Sequence, residues 1–283
     1  MERIKTYYTL TKPGIIYGNT LTGIAGFFVA SQGKIDPWLL SAYVIGLALV
    51  IASACVLNNI IDRGIDKKMK RTKLRALATG DISVQSAAIY SIVLGMLGFG
   101  TLFFFVNMLV VGLGAAAYVL YIAAYGIAKR KTVHGTLIGS IPGAIPPVAG
   151  YAAVANSIDA TALLLFLILV LWQMPHFYAI ALFRKKDYAA ANIPVLPIVK
   201  GHRATKNQML FYIILFIIAA QALPGMGLVY SIAMLILGGL WLAKALHGLK
   251  TADDEKWARG LFGFSLYVLL GFSMFAIVDA WLV

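Results

Sequence analysis

Residues 38–68 read WLLSAYVIGLALVIASACVLNNIIDRGIDKK. The stretch from Trp38 to Leu57 carries no charge. As a helix rising about 1.5 Å per residue it is long enough to cross a hydrocarbon core of about 30 Å. It then turns polar, with Asn58, Asp62 and Asp66 at i, i+4 and i+8. At about 100° per residue these three fall within roughly an 80° arc of one helix face. Carboxylates at a lipid boundary are expensive and need a reason. Aligned oxygen donors suit Mg²⁺, which keeps several waters and binds substrate phosphates through one or two carboxylates. A solvated helix end, with Arg63 and Lys67 as ion-pair partners, accounts for the same spacing.

The rest of the chain has the same solvent preference. Of 283 residues, 61% are hydrophobic and 12% charged, and the mean hydropathy is +0.85. Soluble domains run at about 45–50% apolar and about 25% charged. The composition excludes a disordered chain, a coiled coil and a disulfide scaffold; the lone Cys55 leaves no intrachain pair. Nine stretches are candidate spans: 15–32, 38–60, 84–104, 108–128, 136–154, 160–182, 208–223, 228–246 and 258–280. The expected fold is therefore all-α, a polytopic membrane protein with nine transmembrane helices in a single domain, 1–283. Pro142, Pro146 and Pro147 predict a kink in the fifth span. The first apolar run holds Asn19, Thr20 and Thr22 and reads as a retained span, not a cleaved signal.

Charge sets the orientation. The net charge is +13. With the N-terminus in the cytoplasm, 23 of the 24 basic residues fall inside and Lys34 alone falls outside. Such a bias is topology, not a nucleic-acid surface. It puts the C-terminus outside and two long loops inside, about 61–83 and 183–207. Long loops direct the search for chemistry to that face.

The first loop carries Lys67, Lys68, Lys70, Arg71, Lys73 and Arg75. Such a run anchors to anionic lipid. Beside a carboxylate metal site, Arg71 and Arg75, one turn apart, could also grip a diphosphate. The fourth span ends in a YxxxK pair, Tyr125 and Lys129, which is also the pattern of an interfacial aromatic with a snorkelling lysine. The sixth ends WQMPHFYA (172–179), placing His176 just past Pro175, in an expected polar break; it is a packing residue or a ligand. Arg184, Lys185, Lys186 and Asp187 follow. No HxxxH or CxxC spacing supports zinc.

Taken together, the residues Asn58-Asn59-x-x-Asp62-x-x-x-Asp66, Met69-x-Arg71-Thr72 and Tyr125-x-x-x-Lys129 on one face of a nine-span bundle resemble the UbiA-type intramembrane prenyltransferases. Thr11-Lys12-Pro13, Trp172-Gln173-Met174-Pro175-His176, Asp187-Tyr188, Asn192-Ile193-Pro194-Val195-Leu196-Pro197 and Ala252-Asp253-Asp254 with Trp257-Ala258-Arg259 are similar to the haem-farnesylating branch of that family. The resemblance runs from about residue 9 to 265.

It implies a bundle around a central cavity with a cytoplasmic cap, in a bacterial or archaeal cell membrane. It also implies transfer of farnesyl from farnesyl diphosphate to a vinyl group of protohaem IX (haem B), giving haem O and diphosphate, with Mg²⁺ as the cofactor. Asn58, Asp62 and Asp66 then hold the metal, and Arg71, Arg75, Lys129 and Tyr125 hold the diphosphate. Asp62, Asp66, Tyr125 and Lys129 are the implied catalytic set.

Quinone-type relatives carry a second aspartate-rich motif after the sixth span. Here that place holds His176, Arg184, Lys185 and Lys186, which suit haem iron and propionates. Gly64 stands where the haem branch commonly has aspartate. Expected partners are farnesyl diphosphate, haem B, the bilayer and a downstream haem A synthase or terminal oxidase assembly. A quinone-precursor prenyltransferase and a non-enzymatic transporter are the alternatives. Transporters place charge near mid-membrane; here it collects at one interface.

Overall fold

The computed structural model describes residues 2–282; the two end residues of the expected 1–283 unit lie outside them. Nine helices among the described residues are long and apolar enough to cross a membrane. They are α1 (Pro13–Ser31), α2 (Pro37–Asp66), α3 (Val84–Phe105), α4 (Met108–Lys131), α5 (Gly135–Ala155), α6 (Ala160–Phe183), α7 (Gly201–Gln221), α8 (Leu228–His247) and α9 (Asp254–Leu282). The count matches the expectation, but several ends do not. Helix α2 continues past residue 60 to Asp66, so the first long loop starts at Lys67. Helix α7 begins at Gly201, ahead of its apolar stretch.

Local chemistry fixes the starts. Asp36 accepts from the N–H groups of Trp38 (2.9 Å) and Leu39 (3.1 Å), with Pro37 in the first turn of α2. Asp159 caps α6 through Thr161 N (2.9 Å). Asn107 caps α4 through Val110 N (2.9 Å) and donates to the Ala152 carbonyl at 2.9 Å, tying α4 to α5. Helix α5 is broken at Ala144 into Gly135–Gly143 and Ile145–Ala155, as its prolines predict.

The helices pack as two groups. Phe27, Tyr43, Val50, Leu102 and Ala149 form a core among α1, α2, α3 and α5. Leu165, Phe216, Trp241 and Phe272 belong to a second core among α6, α7, α8 and α9. Helices α1 and α5 cross so closely that a Cβ on Gly26 would lie 1.9 Å from the Pro147 carbonyl oxygen, and one on Gly150 would lie 2.0 Å from that of Gly23. Lipid gives helices no hydrophobic drive to associate, so small residues that let backbones touch hold such a crossing.

Between the groups lies a cavity of about 410 Å³, lined mainly by apolar side chains of α1, α2, α4, α5, α6 and α9. Its basic end is roofed by the long loops. Met69, Ala191 and Ile193 are buried together there, with Ile65, Tyr188 and Val195 against them. Asp187 accepts from the Lys70 N–H at 3.1 Å. The two loops thus form one cap over the bundle.

Candidate active site

The i, i+4, i+8 row survives folding because α2 stays helical through Asp66. All three side chains are buried. Each meets a cation from another segment. Asn58 Oδ1 accepts from Lys12 Nζ at 2.8 Å. Asp62 accepts from Lys129 Nζ on one oxygen and from Arg130 Nη2 at 3.0 Å on the other. Arg75 Nη1 donates to both oxygens of Asp66, at 3.0 and 2.9 Å. Four cations therefore surround two carboxylates. Buried like charges repel unless an anion arrives, so the layer has the sign of a polyanion site.

Lys12 is held at φ +55°, ψ +65°, just ahead of Pro13. That left-handed conformation costs a residue with a Cβ roughly 1–3 kcal/mol and is found where the surroundings impose it. Here it coincides with the bond to Asn58. Burial pushes the Lys12 ammonium down to about 8, so it too gains from a nearby negative charge.

Tyr125 and Lys129 stand where the ion-pair layer meets the cavity, and both line it. The preceding turn, Leu120–Tyr125, is π-helical, a local widening that recurs at functional sites. Tyr121 and Tyr125 stack with centroids 5.6 Å apart, and Lys129 Nζ sits 5.0 Å from the Tyr125 ring centroid. Arg75 lines a second pocket, shared with Lys12 and Arg71. Arg71 is exposed and makes no ion pair among the described residues. It lies near Tyr188, whose hydroxyl is pushed up by burial and pulled back by the Arg71 charge.

Asn58, Asp62 and Asp66 offer an amide oxygen and two carboxylates, a hard-oxygen set that fits Mg²⁺ completed by water and phosphate. Asn58 Nδ2 is sealed in without an acceptor, so the amide is held through its oxygen alone. No cluster of three His, Cys, Asp or Glu gathers among the described residues. A ligand set completed by the substrate needs none.

At the other wall, α6 runs unbroken through Pro175, contrary to the expected polar break. Polar links to neighbouring helices brace the turn just before the proline. Trp172 Nε1 donates to the Ser265 carbonyl (2.8 Å), and Gln173 Nε2 donates to that of Ser140 (3.1 Å). His176 lines the cavity, buried between Trp172 (centroids 4.6 Å) and Phe262 (4.8 Å).

The cations expected beside it are elsewhere, and none of the three lines the cavity. Helix α6 ends at Phe183 and the chain turns away. Arg184 stands 3.9 Å from Asp187, and Lys185 bonds His202 at 3.1 Å. Lys186 is exposed. His202 in turn bonds Asp254, which also pairs with the buried Lys206. That network ties the basic ends of α6, α7 and α9 together.

Three contributors escape sequence reasoning as site residues: Lys12, Arg130 and Ser265. Lys12 falls within the Thr11-Lys12-Pro13 block and Arg130 stands beside Lys129, so proximity is the signal they carry. Ser265 has no mark in an apolar span; its partner is 89 positions away.

Known proteins resemble the chain as a whole. A chain from Pectobacterium carotovorum subsp. carotovorum (strain PC1) called "Protoheme IX farnesyltransferase" is 49% identical over 282 residues, covering 98% of this chain and 95% of that one. One from Pseudomonas entomophila (strain L48) called "Protoheme IX farnesyltransferase 2" is 47% identical over 281 residues, with the same coverage. A structure of digeranylgeranylglyceryl phosphate synthase in membranes superposes with TM-score 0.81 at 22% identity, covering 100% of both chains. A UbiA homologue from Archaeoglobus fulgidus bound to DMAPP and Mg²⁺ gives 0.69 at 14% identity, covering 96% of this chain and 99% of that one. Residues 19–269 match the model of the UbiA prenyltransferase family. A nine-helix membrane bundle with these relatives over nearly its whole length is a member of that family, and the chain belongs to the UbiA prenyltransferases.

Proposed function

We propose that this prenyltransferase moves farnesyl from farnesyl diphosphate to a vinyl carbon of protohaem IX, yielding haem O and diphosphate. One observation carries the reading: an apolar cavity is lined both by Lys129, which pairs with Asp62 of the carboxylate row, and by the imidazole of His176. Relatives at 47–49% identity bear the matching name.

Lys12, Arg75, Lys129 and Arg130 take the diphosphate oxygens, and Tyr125 positions the pole nearest the cavity. Arg71 attracts the diphosphate from the cap side. Asn58, Asp62 and Asp66 would hold Mg²⁺, whose charge assists departure of the diphosphate. The allylic C1–O bond breaks with its electron pair on the leaving oxygen. Preorganised cations stabilise that charge better than water does, because they need not reorient. The apolar walls keep water from the allylic cation until the vinyl π electrons bond to C1. Water then adds at the remaining cationic carbon and loses a proton, which gives the hydroxyalkyl product. His176 faces the acceptor ring.

The charged cap faces the cytoplasm of a bacterial or archaeal cell, with the N-terminus inside and the C-terminus outside, by the 23-to-1 basic split. The product passes to a haem A synthase or a terminal oxidase assembly. Purified protein incubated with haem B, farnesyl diphosphate and Mg²⁺ should give a product with the mass of haem O. Prenylated 4-hydroxybenzoate with unchanged haem would overturn the acceptor.

A further inference from the structure

Ser265 on α9 makes two contacts with the WQMPH block and one within its own helix. Its carbonyl accepts from Trp172 Nε1 at 2.8 Å, its Oγ lies 2.7 Å from His176 Nδ1, and the same Oγ donates to the Phe262 carbonyl at 2.6 Å. A serine hydroxyl has one proton and two lone pairs. With the proton committed to Phe262, the Oγ faces His176 as an acceptor. The proton on the imidazole is therefore on Nδ1, and Nε2 carries a lone pair. Nε2 has no hydrogen-bond partner among the described residues and is not among the sealed polar atoms, while His176 lines the cavity. Trp172 and Phe262, on the ring, fix its plane.

We infer that Ser265 is a positioning residue that holds His176 in the Nδ1–H form, so that Nε2 is an axial ligand for the metal of a tetrapyrrole in the cavity. A second hydrogen bond on the far ring nitrogen is the usual device for orienting a metal-bound histidine and raising its basicity. An apolar cavity wall offers the ring little else to bind polar groups. The inference rests on the haem reading of the site and adds the ligand atom and the residue that sets it.

The test compares haem B with metal-free protoporphyrin IX on wild type, His176→Gly, Ser265→Ala and Ser265→Thr, each checked for membrane insertion. Affinity is read by absorbance, and iron ligation by the ferrous Fe–His stretching band. Wild type should show the band. His176→Gly should lose it and regain it with added imidazole. Ser265→Ala should shift it and weaken haem B binding about 10- to 100-fold, the usual range for an outer partner, while Ser265→Thr restores both. Protoporphyrin IX affinity should stay level throughout. An unchanged band in Ser265→Ala, or equal losses for haem B and protoporphyrin IX, would overturn the inference. Wild type that makes haem O without the Fe–His band would retire the ligand assignment and leave the farnesyl transfer standing. Wild type that neither binds nor prenylates haem would retire the farnesyl-transfer reading with it.

Discussion

Helices α2 and α6 both end at the basic face and both feed a long loop of the cap, yet their ends are built from opposite materials. The end of α2 presents charge inward: Asp62 and Asp66 are buried, and each is met by a cation from a different segment. The end of α6 presents rings inward, Trp172, His176 and Phe177, and sends Arg184, Lys185 and Lys186 away from the cavity. Burying opposed charges is tolerable only when they are paired and hydrogen-bonded. That requirement makes the α2 end a rigid electrostatic layer suited to a metal and a polyanion. The α6 end needs no such pairing and can shape an apolar wall for a flat ring. The two helix ends thus supply two unlike half-sites.

Breaking the charged half should have the largest effect. Asp62→Ala or Asp66→Ala is expected to lower turnover on the order of 10²–10³-fold, the usual loss when one preorganised charge contact is removed. Product formation by correctly inserted protein checks this. Near-normal rates in both variants would return the α2 end to an ordinary solvated helix terminus. Chelation should act on the same half alone: EDTA is expected to abolish turnover, with added Mg²⁺ restoring it, while haem absorbance titrations stay unchanged.

Within the charged half, Arg75→Gln should weaken farnesyl diphosphate binding about 10- to 100-fold, since charge-assisted bonds contribute roughly 1.5–3 kcal/mol. Arg71→Gln should cost only about two- to threefold, because Arg71 is exposed and makes no ion pair among the described residues. The reverse order would mean that the cap closes onto substrate through Arg71. The smallest effect belongs to the other half. Replacing Arg184, Lys185 and Lys186 together by Gln is expected to change haem B affinity less than about twofold, as none of the three lines the cavity and solvent-screened charges contribute little. A larger loss would restore these residues as propionate partners.

How far the sequence could be read follows from the range of each interaction. The nine spans and the Asn58–Asp62–Asp66 face depend on local periodicity and run length, and both appear in the structure. The kink of α5 depends on proline chemistry and is present. Pro175 looked equally disruptive, but Ser265 and Ser140 brace α6 from other helices, and such long-range bonds leave no local trace. The same blindness hid Lys12, whose bond to Asn58 spans 46 positions. It also misplaced Arg184, Lys185 and Lys186, because charge shows in the sequence while the direction a loop takes after a helix end does not.

The division between the two half-sites is tested most directly by titrating two variants against two ligands. Asp62→Asn and His176→Ala proteins are each titrated with haem B, by absorbance, and with farnesyl diphosphate in Mg²⁺, by calorimetry. The expected pattern is crossed: Asp62→Asn keeps haem B affinity and loses farnesyl diphosphate, and His176→Ala does the opposite. Equal loss of both ligands in both variants would contradict the account.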